Sequence, residues 1–138
     1  MLESAIATAA KAHEGQTDKA GKPYILHPLR VMLNVKGGIP EQCAAVLHDV
    51  IEDTDITAGA LLELGFSKEV VDAVVLLTRS KDEDYMEYVK RLKANPIARA
   101  VKLADLSDNM DMSRIPNPTE KDLARLEKYK KAKSILLG

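Results

Sequence analysis

Apolar residues recur at steps of three and four along nearly the whole chain, and nowhere do apolar and polar residues alternate cleanly over a strand length. That period predicts an all-α fold, a single compact helical bundle of roughly seven or eight helices. The expected helices cover residues 2–13, 28–35, 41–52, 58–64, 68–78, 84–94, 96–110 and 120–136. Punctuation marks their ends: Gly37-Gly38 stops one helix and Pro40 opens the next, while Gly65 followed by Ser67 reads as a stop and an N-cap. Asn95-Pro96 is a further start, and Thr119-Glu120-Lys121-Asp122 resembles a capping box with Asp in place of Glu. The polar segment 14–27 holds two glycines and one proline and ends in His27, expected to cap or open a helix. A long polar loop of this kind is a functional candidate.

Composition narrows the class. A length of 138 residues with 46% apolar content suffices for one core, hence one domain over residues 1–138. Twenty Lys and Arg against 21 Asp and Glu leave a net charge of −1, which provides no basic field for bulk nucleic-acid binding. A local basic pocket for one phosphorylated ligand remains compatible with that balance. Cys43 is the single cysteine, so neither an internal disulfide nor a multi-cysteine zinc site is expected. The N-terminus lacks a signal-peptide pattern, and no apolar run approaches the ~18 residues of a membrane span. A soluble cytoplasmic protein without membrane attachment is expected, and the sequence fixes no oligomeric state.

Chemistry concentrates at two places. His48 is followed by Asp49, and on a continuous helix Ala44, His48, Ile51 and Glu52 share one inward stripe; Glu52 and Asp53 lie three and four residues after Asp49. One helix end thus gathers an imidazole and three carboxylates. In the second, Asp105 shares a face with Val101 and Ala98, where a lone carboxylate is costly to bury without a cation or several donors. Asn109 is one turn further on. With His27, the set His27, His48, Asp49 and Asp105 offers two nitrogen and two oxygen ligands, a mixture that suits Mn²⁺, Fe²⁺, Co²⁺ or Zn²⁺. His13 reads as a structural hydrogen-bonding residue. Met86, Met110, Met112, Tyr85 and Tyr88 fall at helical spacing and read as core or boundary positions. The C-terminal lysines 128, 130, 131 and 133 read as a solvated face with a Glu127/Lys131 pair.

Four segments together resemble the HD-domain hydrolases of the RelA/SpoT type: Ala12-His13-Glu14-Gly15-Gln16, Gly21-Lys22-Pro23-Tyr24-Ile25-Leu26-His27-Pro28, His48-Asp49-Val50-Ile51-Glu52-Asp53-Thr54, and Lys102-Leu103-Ala104-Asp105 with Asn109. The resemblance runs from about residue 5 to about residue 130 and, at this length, is similar to the small stand-alone alarmone hydrolases. It implies one divalent metal, usually Mn²⁺, on His27, His48, Asp49 and Asp105. It also implies that Glu52 and Asp53 activate or orient the attacking water and that Asn109 contacts substrate. The reaction it implies is hydrolysis of the 3′-pyrophosphate ester of guanosine tetra- or pentaphosphate, a small-molecule nucleotide substrate. Glu52, crowded by other carboxylates, is the expected proton acceptor.

The acidic site requires cations for a polyphosphate, and Lys19, Lys22, Arg30, Lys102 and Arg114 are the candidates. Tyr24 either buttresses the loop or touches substrate. Three positions depart from the family pattern: Asp18 stands where a base-stacking Arg is usual, and Leu106 and Asp111 replace basic residues. Asp18 cannot stack on a base as a guanidinium does. Same-site hydrolysis of another nucleotide is therefore the nearest alternative, whether an adenosine alarmone, the 2′-phosphate of NADPH or an ordinary nucleotide. An HD-like partner protein that neutralises an alarmone-making toxin is the alternative from another class; the full ligand set with Glu52-Asp53 favours catalysis.

Overall fold

The computed structural model describes residues 1–138 as nine α-helices and one 3₁₀ turn, with an isolated bridge between Thr17 and Pro23 as the only strand-like pairing. The helices are α1 (Leu2–Ala12), α2 (Leu26–Asn34), α3 (Ile39–Leu47), α4 (Val50–Asp53), α5 (Ala58–Glu63), α6 (Lys68–Leu77), α7 (Tyr85–Leu92), α8 (Pro96–Asn109) and α9 (Glu120–Leu137), with the 3₁₀ turn at Met112–Arg114. The all-α expectation holds. None of these helices is long and apolar enough to cross a membrane.

The core forms around α3. Its residues Cys43 to Leu47 are all inaccessible, and the helix packs against α1, α2, α6 and α8, so apolar side chains are needed on every side of it. On α1 the small residues Ala5 and Ala9 fill the buried stripe, which lets that helix approach α3 closely. Fully buried Leu47, Leu61, Leu92, Leu106 and Leu136 each contribute about 1.5–3 kcal/mol of transfer free energy. α9 lies over α7 and α8 and buries Ala132 and Leu136.

Side-chain caps start α8 and α9 where the sequence suggested. Asn95 accepts the Ala98 N–H at 2.9 Å, and Thr119 and Asp122 form the reciprocal box expected of a capping sequence. Gly65 takes φ +96°, a conformation that ends α5, but Ser67, although at the N-cap position of α6, makes no capping bond through its hydroxyl.

Two boundaries differ from expectation. α2 starts at Leu26, so Pro28 sits within the first turn, where a missing N–H costs nothing. The helix expected over 41–52 is divided: α3 ends at Leu47 and α4 begins at Val50. His48 causes the division. Its backbone N–H reaches Ala45 O at 3.3 Å and its ring Nδ1 reaches the same oxygen at 2.6 Å, closing a tight three-residue turn. His48 still points inward, as the stripe argument required, with 4% exposure.

α8 is the second element that builds the site. Ala98, Val101, Ala104 and Leu106 are buried on it, and Lys102, Asp105 and Asp108 are buried with them. Three charged side chains therefore sit inside the protein and require partners.

Candidate metal centre

His27 is carried by the first turn of α2, His48 and Asp49 by the bend between α3 and α4, and Asp105 by α8. Their polar atoms converge. His27 Nε2 lies 2.9 Å from Asp105 Oδ1 and 3.9 Å from Asp49 Oδ2, and His48 Nε2 lies 3.1 Å from Asp49 Oδ2 and 3.3 Å from Asp105 Oδ1. Ligand atoms about 2.0–2.2 Å from a common ion stand roughly 2.8–3.6 Å from one another at octahedral or tetrahedral angles. Three of the four spacings fall in that range, and only His27 Nε2 to Asp49 Oδ2, at 3.9 Å, is longer.

Hydrogen bonding also prepares both rings. His48 Nδ1 faces the Ala45 carbonyl oxygen, which only accepts, so this nitrogen carries the proton. The other nitrogen, Nε2, is buried and has no partner in hydrogen-bond geometry, although two carboxylate oxygens are nearby. An imidazole lone pair facing two carboxylates is repulsive unless a cation lies among them. His27 Nδ1 likewise donates to Asp108 Oδ2 at 2.7 Å, leaving Nε2 toward Asp105. His27, His48 and Asp105 each present a ligand atom within 4.8 Å of the other two. The donor set thus fits a divalent metal, with Asp49 as the fourth side chain.

Electrostatics agree with this geometry. Burial pushes both imidazoles down, but for His27 the bonds to Asp105 and Asp108, and for His48 the charges of Asp49 and Asp105, outweigh it and hold them above the ordinary histidine value. Burial pushes Asp105 up, but the Lys102 ammonium and the two imidazoles hold it well below the usual carboxylate range. Asp49 is brought down to about 2 as His48 overcomes burial. Without metal, protons on the rings supply the positive charge; a bound metal must displace them.

The remaining expected residues divide. Lys19, Lys22, Tyr24, Glu52, Asp53, Asn109 and Arg114 all line an open cleft of about 860 Å³ whose floor holds His27, Asp49 and Asp105. Lys102 does not line it. Its ammonium is buried, bonds Asp105 Oδ2 at 2.8 Å and stands over the Tyr85 and Tyr88 rings, so a direct substrate contact is replaced by support of Asp105. Tyr24 donates its hydroxyl to Asp49 Oδ2, as a buttress would, and it also lines the cleft. Glu52 Oε1 accepts the Arg79 backbone N–H at 2.8 Å, and Asn109 Nδ2 donates to Asp105 Oδ1 at 3.3 Å. His13 is structural as expected: it meets Gln16, which donates to the Asp53 carbonyl at 3.2 Å.

The three departures from the family pattern are also explained. Asp18 Oδ1 accepts the N–H groups of Ala20 and Lys22, both at 2.9 Å, and so organises the loop tip around Gly21 at φ +79°. Leu106 is fully buried, and Asp111 caps the 3₁₀ turn and pairs with Arg114 at 3.2 Å.

A family model described as "HD domain" matches residues 5–125. The chain belongs to the HD-domain family. Among relatives of this HD-domain chain, a Vibrio cholerae protein named guanosine-3′,5′-bis(diphosphate) 3′-pyrophosphohydrolase is 35% identical over 122 residues, 79% of this chain and 17% of its own length. The Escherichia coli K12 bifunctional (p)ppGpp synthase/hydrolase SpoT is 35% identical over 123 residues, with the same shares. The chain spans about a sixth of the length of these curated relatives. A solved structure of a metazoan SpoT ortholog that hydrolyses ppGpp superposes with a TM-score of 0.83 at 25% identity, over 99% of this chain and 85% of that one.

Sequence reasoning missed several features. Arg125 and Tyr129 of α9 line the cleft together with residues of the 17–22 loop, so this helix is more than a solvated face, and Glu127 pairs with Lys130 at 3.4 Å rather than with Lys131. It is also Asp53 whose carboxyl is pushed up to about 6, by burial and then by the charges of Asp49 and Glu52. In the metal-free protein this shift has a measurable sign. A native carboxyl above its ordinary 3.8 holds its proton more tightly than the unfolded chain does, so it opposes folding as pH rises past that value, fully above about 6. Asp53→Asn is therefore expected to raise Tm near pH 7.5 and leave it unchanged near pH 3.5. An equal Tm for the two proteins near pH 7.5 would remove this assignment.

Proposed function

We propose that this HD-domain chain is a metal-dependent phosphohydrolase that releases pyrophosphate from the 3′ position of guanosine tetra- or pentaphosphate-like nucleotides, with Mn²⁺ as its working ion. The observation that carries this reading is the convergence of two imidazole Nε2 atoms and the Asp49 and Asp105 carboxylates at the base of the cleft, where the His48 Nε2 is buried and unpartnered. The names of its relatives point to the same reaction class.

The chain's own residues fill the remaining roles. When bound, a divalent ion supplies polarisation of a phosphoryl oxygen and lowers the pKa of water at the site. Asp53, which lines the cleft beside Asp49 and Glu52, takes the proton from the attacking water. Glu52, fixed by the Arg79 N–H, sits beside it and orients that water. The water oxygen forms a new bond to phosphorus, the bond to the ribose 3′ oxygen breaks, and that oxygen receives a proton; the products are pyrophosphate and a nucleotide with a free 3′ hydroxyl. Tyr24 holds one oxygen of Asp49 throughout. Lys19, Lys22, Arg114 and Arg125 supply cations to the phosphates, and Asn109 and Tyr129 complete the wall.

Asp18 favours a second reading of the base. Its carboxylate is committed to two loop N–H groups and offers no guanidinium to stack, so adenosine counterparts are substrates to compare. The test is pyrophosphate release by purified protein with Mn²⁺ across guanosine and adenosine 3′-pyrophosphates, NADPH and ordinary nucleoside triphosphates. Release from a 3′-pyrophosphate is expected, and none from any of them would overturn the proposal.

A further inference from the structure

Asp108 lies one helical turn beyond Asp105 on α8 and is buried, at 9% exposure. Every polar atom it presents is engaged. Oδ2 lies 2.7 Å from His27 Nδ1 and 3.2 Å from Arg30 Nη2, while Oδ1 accepts Arg30 Nε at 2.8 Å and has Arg114 Nη2 at 3.4 Å. Arg114 Nη2 also donates to the Asp108 carbonyl at 2.9 Å. His27 and Asp108 are 81 residues apart in sequence, so the contact joins α2 to α8.

This arrangement has a consequence for the ring. A carboxylate accepts but does not donate, so Asp108 keeps a proton on His27 Nδ1; the second proton, on Nε2 toward Asp105, is the one a metal would displace, leaving the Nε2 lone pair facing Asp49 and Asp105. A metal-facing histidine whose far nitrogen donates to a carboxylate is a more basic and better-oriented ligand. The two arginines give the carboxylate a two-point grip through Arg30, which fixes its plane, and both guanidiniums line the substrate cleft.

We propose that Asp108 is a positioning residue for the metal, setting the tautomer and orientation of His27, and that Arg30 holds Asp108 in place for that task. The inference rests on the metal-centre reading above. It makes Arg30 an indirect determinant of metal affinity although no atom of it reaches the ligand cage. Asp108→Asn tests it sharply, because the amide keeps the shape but can offer an N–H to His27 Nδ1, which favours the opposite tautomer and places a proton on Nε2.

Mn²⁺ affinity is measured by calorimetry on the substrate-free protein, with Tm recorded alongside. Asp108→Asn is expected to weaken Mn²⁺ binding about 10–100-fold, Arg30→Gln to weaken it less, and the double variant to match Asp108→Asn alone. Nitrogen-15 spectra of the imidazoles at alkaline pH are expected to show His27 protonated on Nδ1 in the parent and changed in Asp108→Asn. Where Asp108→Asn does not fold, Arg30→Gln decides: weaker Mn²⁺ binding supports the proposal and parental affinity overturns it. Parental Mn²⁺ affinity in a folded Asp108→Asn overturns it as well. Absence of Mn²⁺ binding by the parent instead removes the metal-centre reading on which it rests.

Discussion

Asp49→Asn is expected to leave the fold intact and reduce pyrophosphate release by about 10³-fold or more, roughly 4 kcal/mol or more of barrier. Two features make this position decisive. Asp49 Oδ2 stands 3.1 Å from His48 Nε2 and 3.9 Å from His27 Nε2, so it is the acidic group that faces both imidazoles from the α3–α4 bend. Its side chain is 18% exposed, the most accessible of the four proposed ligands, so removing its charge takes little from the core. An amide oxygen remains, but it is a weaker ligand for a hard divalent ion and it no longer offsets the positive charge there. Activity is measured as pyrophosphate release under saturating Mn²⁺, with Tm as the control for folding. Activity within tenfold of the parent at unchanged Tm would place the chemistry elsewhere in the cleft. Such a variant also separates catalysis from partnership: a biological effect that survives Asp49→Asn comes from binding and not from turnover.

What the sequence made legible was local. Helix periodicity and caps such as Asn95 and Thr119 act within a few residues, and those elements appear where expected. His48 and Asp105 were legible as candidate site residues because each puts a polar group on an otherwise apolar stripe, a conflict that needs a partner. The break after Leu47 was not legible, since it depends on a ring nitrogen reaching a carbonyl three residues back instead of continuing the helix. Nor were the roles of Asp108, Arg125 and Tyr129. Asp108 meets His27 only after α8 has docked on α2, and α9 shows its cleft side only through its packing on α7 and α8. Lys102 is the intermediate case: its three-residue spacing from Asp105 permits a pair on one helix, but only burial shows that its ammonium faces inward and away from the cleft.

That burial makes Lys102→Met the substitution with the largest expected effect on stability. The ammonium is 2.8 Å from Asp105 Oδ2, with the Lys and Asp side chains 10% and 7% exposed, so neither charge has water to fall back on. Burial pushes the lysine pKa down, but Asp105 more than reverses this and keeps the side chain charged. Methionine keeps an unbranched apolar side chain and drops the ammonium, so the change removes the charge and its contacts over the Tyr85 and Tyr88 rings with little loss of volume. Breaking one side of a buried pair typically costs about 3–5 kcal/mol because the other charge is left uncompensated. For a chain of 138 residues that corresponds to a fall in Tm of about 10–20 °C. His27, His48 and Asn109 still contact Asp105, which sets the lower end of the range. Saturating divalent metal should recover part of the loss, since an ion among the ligands replaces the missing positive charge and binds only the native state. KM for substrate should change little, because Lys102 does not line the cleft. A fall in Tm below about 3 °C in metal-free protein would show that the imidazoles alone balance Asp105, and a large rise in KM at full metal occupancy would return Lys102 to the substrate site.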